Sequence, residues 1–139
     1  MVGAVVVDCS IAMAWCFDVE QSNYADAVLG ALSSHSAIVP ALWPYEVANA
    51  IVIAERRKRI SSAERDEALA FVWSLPIEIE QSPTAVPATL IRLANQYRLT
   101  AYDAAYVDLA RTRGLPLATI DEALARAATA AGVATFVAT

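Results

Sequence analysis

Asp8, Glu46, Asp103 and Asp121 are four acidic residues placed where an α/β chain would gather them. Two follow predicted strands and two open predicted helices, and in a parallel sheet those positions share one edge. Carboxylates crowded together repel by roughly 4 kcal/mol per pair at about 4 Å with an effective dielectric near ~20. Such a cluster persists only if some members are protonated or a cation sits among them. The second option is metal-dependent chemistry. Each acid also has a plain structural role. Asp121 before Glu122, Ala123 and Leu124 is a good N-cap, and Asp103, three after Thr100, would complete a capping box. Glu46 favours a helix N-terminus through the macrodipole. Asp8 follows an apolar strand and needs a partner in either reading.

The elements that must position these acids follow from apolar periodicity. Val5, Val6 and Val7 form a short β-branched run, apolar throughout as in a central parallel strand. Helical spacing from about Ser22 to Leu32 leads to a second strand, Ala37 to Pro40. Pro44 suits a first helical turn, and a helix from Glu46 to Arg59 follows, with Asn49 one turn after Glu46. Ser61 and Glu64 form a capping box for a helix ending at Leu75. Pro76 to Glu80 alternates as an edge strand should. Helices over Ala88 to Tyr97 and from Thr100 to Gly114, a strand over Leu115 to Ile120, a helix from Asp121 to Gly132 and a last strand, Val133 to Ala138, complete the chain. Strands alternating with helices imply a parallel sheet covered on both faces. Asp8 and Asp121 then follow strands at the carboxyl edge, where Glu46 and Asp103 open helices.

Composition narrows the function. The 139 residues suit one domain, 1–139, with 58% apolar residues, a net charge of −5 and a pI near 4.7. That charge opposes non-specific adhesion to nucleic acid, although a cation in an acidic site inverts the local field. No apolar run reaches the roughly 18 residues of a membrane span, and Asp8 interrupts the start too soon for a signal peptide, so a cytoplasmic protein is expected. Cys9 and Cys16 read as small buried hydrophobes rather than a disulfide framework. Arg56, Arg57, Lys58 and Arg59 are the dense basic cluster, either a solvated helix end or a contact for an RNA backbone; Arg98 is a further phosphate candidate. His35 is solitary in a Ser-rich stretch, which excludes a histidine-based mechanism.

The segments around the acids resemble the four motifs of the PIN-domain ribonucleases. They are Val6-Val7-Asp8-Cys9-Ser10, Trp43-Pro44-Tyr45-Glu46-Val47-Ala48-Asn49-Ala50, Thr100-Ala101-Tyr102-Asp103-Ala104-Ala105-Tyr106 and Leu117-Ala118-Thr119-Ile120-Asp121-Glu122-Ala123-Leu124. The chain is most similar to the VapC-type toxins of toxin–antitoxin pairs. The resemblance implies a three-layer α/β/α fold around a central parallel sheet of about five strands, and a magnesium- or manganese-dependent endoribonuclease. Asp8, Glu46, Asp103 and Asp121 would be the acidic quartet. Asp8 and Asp103 would be the principal metal ligands with Asp121 assisting, and Ser10, Asn49 and Thr119 would be polar neighbours orienting carboxylates and waters. An RNA substrate, a cognate antitoxin and a homodimer are the implied partners. Asp108, where the family often has an apolar residue, reads as a solvated helix position.

Two rival readings use the same acids. Aspartyl-phosphate proteins place an acceptor after the first strand but need a lysine near the phosphoryl group, and the single lysine, Lys58, sits in a basic helix end. A catalytically silent interaction module could retain the fold, against which stands the retention of all four acids.

Overall fold

The computed structural model describes residues 3–17, 22–81 and 86–138. In chain order the elements are β1 (Gly3–Val7), α1 (Cys9–Cys16), α2 (Asn23–Ala31), β2 (His35–Val39), α3 (Trp43–Arg56), α4 (Ser62–Trp73), β3 (Ile77–Ile79), α5 (Pro87–Tyr97), α6 (Ala101–Arg113), β4 (Leu117–Ala118) and α7 (Glu122–Ala130). The strands are all parallel, in the order β3-β2-β1-β4. The chain steps from β1 through β2 to the β3 edge, then crosses to the far side of β1. That reversal puts a switch point between β1 and β4, the crevice where open parallel sheets bind ligands.

Side chains alternate across the sheet, so β1 feeds two cores. Val6 packs with α3, α6 and α7 residues, including Trp43, Val47, Val107 and Leu124. Val5 and Val7 pack on the other face with Ala25 and Val28 of α2 and with Phe136. Helices on both faces make the three layers. The described residues contain no helix long and apolar enough to cross a membrane.

Helix ends follow the local chemistry. Ser22, Ser61, Thr100 and Asp121 cap α2, α4, α6 and α7 through their side chains. The Ser61–Glu64 capping box is complete in both directions. At the other ends, α3, α5, α6 and α7 finish in Schellman turns, in which a left-handed residue reverses the chain. Glycine fills that position after α6 and α7, whereas Lys58 (φ 57°) and Arg98 (φ 56°) fill it after α3 and α5. The Arg59 amide closes the first of these turns on the Ala54 carbonyl at 2.9 Å, and the Leu99 amide closes the second on Ala94 at 2.9 Å.

Three expectations are revised. α1 was not expected; Asp8 ends the strand and caps a helix at once. The last strand, expected over 133–138, is a single parallel bridge from Leu117 to Thr135. Val133 and Phe136 are buried while Ala134 and Thr135 are exposed, and a spacing of three cannot keep one face of a pleated strand inward. Cys9 and Cys16 are half-buried, not core residues.

Candidate active site

Val7 of β1 pairs with Ala118 of β4, so the next residues, Asp8 and Thr119, emerge side by side at the carboxyl edge of the switch point. Asp8 is 5% exposed. Its Oδ1 accepts from the Ser10 hydroxyl at 2.6 Å and from the Ile11 amide at 3.3 Å. Its Oδ2 accepts from the Thr119 hydroxyl at 2.5 Å, across 111 residues of chain. These hydroxyls are themselves held from behind. The Ile120 amide donates to Ser10 Oγ at 3.1 Å, and the Asp121 amide donates to Thr119 Oγ1 at 3.0 Å. A short loop before α7 is thereby locked onto the first carboxylate, and Asp121 Oδ1 caps α7 through the Leu124 amide at 3.1 Å.

Glu46 and Asp103 arrive from the first turns of α3 and α6 and are partly buried. The Tyr106 hydroxyl, one turn beyond Asp103, donates to Glu46 Oε1 at 2.6 Å and ties the two helices together. Tyr106 is buried, and burial together with the Glu46 charge pushes its phenol far above the usual range. Its role in holding Glu46 was not anticipated from sequence; the one-turn spacing from Asp103 was the signal that could have found it. The Asp103 amide donates to Thr100 Oγ1 at 3.0 Å, one half of the expected capping box.

Electrostatics joins the four acids into one set. Burial pushes Asp8 up to about 6, against the pull of its Ser10, Thr119 and Ile11 hydrogen bonds, and the Asp103 charge adds to the rise. Glu46 is raised by burial and then by Asp103, with Tyr106 acting the other way. Asp103 is raised by burial and then by the Asp121 charge. The Asp103 charge thus acts on Asp8 and Glu46, and the Asp121 charge acts on Asp103, each as a smaller effect than burial. Among the described residues the four acids have no Arg or Lys at ion-pair distance; the salt bridges use Glu55, Asp66, Glu80 and Glu122 instead. An uncompensated carboxylate set with oxygen-only donors fits a hard divalent cation. It is an open set: among the described residues no three His, Cys, Asp or Glu side chains close into a metal cage. Magnesium tolerates that, because one or two carboxylates suffice when water and phosphate complete its shell.

The remaining candidates divide. Ser10 and Thr119 are part of the Asp8 network, whereas Asn49 is exposed on α3 and takes no part in it. Arg56, Arg57, Lys58 and Arg59 are exposed at the far end of α3, nearly three turns and about 15 Å from Glu46. Arg98 is exposed at the end of α5, just before the α6 cap Thr100. Asp108 is half-buried on α6 rather than fully solvated.

A four-stranded parallel sheet with its switch point between β1 and β4 and helices on both faces defines an α/β protein with Asp8, Glu46, Asp103 and Asp121 at strand ends and helix starts. The family model described as PIN domain matches residues 5–130, and the chain belongs to that family, whose members are commonly nucleases. Among solved structures it is similar to PAE2754 from Pyrobaculum aerophilum, with 26% identity, a TM-score of 0.69, and coverage of 91% of this chain and 87% of that one. It is also similar to FitAcB from Neisseria gonorrhoeae, with 16% identity, a TM-score of 0.62 and coverage of 96% of each chain; that likeness speaks for the fold. No significant sequence match was found among curated proteins.

Proposed function

We propose that this chain is a divalent-metal-dependent endoribonuclease acting as the toxin half of a toxin–antitoxin pair. The observation that carries the nuclease reading is the uncompensated acid set around Asp103, with Asp8 buried at its base. Asp8, Asp103 and Asp121 would hold magnesium or manganese, and Glu46 completes the set. A bound ion would supply activation of water and charge stabilisation at the scissile phosphate. The chain's own residues do the positioning. Ser10 and Thr119 spend their single hydroxyl protons on Asp8, fixing both of its oxygens. Tyr106 fixes Glu46 while leaving Oε2 available. The toxin role rests on the motif resemblance to VapC-type proteins, which also suggests a small protein antitoxin as partner and a homodimer.

The test is magnesium titration with a structured RNA, comparing wild type with Asp8→Asn. Metal-dependent cleavage is expected in wild type and a loss of at least about 100-fold in the variant, as when a preorganised charge-stabilising group is removed. Equal cleavage by both proteins would refute the assignment. Growth arrest on expression, relieved by the same substitution and by a co-expressed antitoxin, tests the toxin role separately.

A further inference from the structure

The residues immediately preceding three of the four acids are exposed and large: Tyr45 is 79% exposed, Tyr102 66% and Ile120 37%. Tyr45 and Tyr102 lie in the first turns of α3 and α6, where side chains lean toward the helix N-terminus and therefore toward the edge that carries the acids. Two other tyrosines are committed elsewhere: Tyr24 donates to the Phe136 carbonyl and Tyr106 to Glu46. Tyr45 and Tyr102 have no hydrogen-bond partner among the described residues, and both leave aromatic faces open beside the crevice.

Charge decides what could lie on those faces. Arg56, Arg57, Lys58, Arg59, Arg111 and Arg113 sit at the far ends of α3 and α6, away from the first turns that carry Glu46 and Asp103. Arg65 pairs with Glu55 and Asp66. Apart from Arg98, exposed just before the α6 cap Thr100, few cations remain near the acid edge to attract a phosphate backbone. A polyanion bound there needs a sequence-tolerant, uncharged source of affinity, which base–aromatic stacking provides. We infer that Tyr45 and Tyr102 are the stacking platforms for unpaired nucleobases beside the acid set. The inference rests on the nuclease reading for the location of the scissile phosphate.

The probe is a short single-stranded RNA carrying 2-aminopurine, titrated with magnesium present into the Asp8→Asn protein to prevent turnover. Quenching of the fluorophore is expected on binding. Tyr45→Ala and Tyr102→Ala in that background should each weaken binding by about tenfold, with Tyr→Phe restoring it, as stacking requires. Trp73→Ala, an exposed aromatic on α4, should leave binding unchanged. Binding should fall by no more than about tenfold between about 50 and about 200 mM salt, the shallow slope of few phosphate contacts. Equal binding of a duplex of the same sequence, no effect of either alanine, or no binding at all would overturn the proposal. So would a dimer that dissociates in the Tyr→Ala proteins while their RNA affinity is unchanged, since the tyrosines would then belong to a subunit contact. If stacking is observed but wild type does not cleave the RNA, the platforms stand and the nuclease reading falls.

Discussion

Asp8 places an ionisable group where folding disfavours its charge, and the sign of that cost is testable. Its carboxyl is raised from 3.8 to about 6 in the folded protein, so the native state holds the proton more tightly than the unfolded chain. The Asp8 contribution to stability is greatest below the unfolded value, declines as pH rises from about 4 through about 6, and levels off above. The size is about 3 kcal/mol for a shift of this extent. Asp8→Asn removes the penalty while keeping the shape. The variant should be more stable than wild type at pH 7.5 and lose most of that advantage at pH 4, read from urea midpoints. Parallel pH curves for the two proteins would show that Asp8 is not the group responsible. A cation bound among the four acids would offset that cost at neutral pH.

At the scale of elements, the left-handed residues Lys58 and Arg98 show how far a local conformation can be strained by the wrong side chain. A non-glycine residue there costs about 1–2 kcal/mol, and glycine closes the equivalent turns after α6 and α7 without it. Arg98→Gly should raise stability by about 1 kcal/mol in denaturant unfolding; a lowered midpoint would mean that the arginine makes stabilising contacts of its own. The same comparison explains what could be read from the chain. The β-branched Val5–Val7 run, the Ser61 box, Thr100, Asp121, Gly114 and Gly132 carry their instructions within a few residues, and those boundaries emerged from sequence. α1 did not. Ile11 and Ala14 pack in one core and Ala12 and Met13 in the other, so the helix is buried on opposite sides and has no polar stripe to reveal its period. The basic cluster was read as continuing its helix to Arg59, although Lys58 turns the chain there. The element positions of the acids were legible: Asp8 follows β1, Glu46 and Asp103 lie in the first turns of α3 and α6, and Asp121 caps α7. The Tyr106–Glu46 bond was only half legible: the one-turn spacing puts Tyr106 on the Asp103 face of α6, but its partner depends on how two helices are rotated against each other.

For the molecule as a whole, the fold converts four scattered acids into one electrostatic unit, and a ligand that neutralises it should stabilise the entire domain. Magnesium at about 100 times its dissociation constant adds about 2.7 kcal/mol by mass action, a rise of roughly 10 °C in Tm for a domain of this size. Wild type should show that rise in calorimetry and Asp8→Asn should show much less. Equal shifts would place the ion outside the quartet. The pairing of Asp8 with Thr119 carries a consequence in time. The two partners are made 111 residues apart, so a nascent polypeptide that has not reached β4 lacks the loop that fixes the first carboxylate. The Asp8 network can therefore close only once β4 and the loop after it have been made.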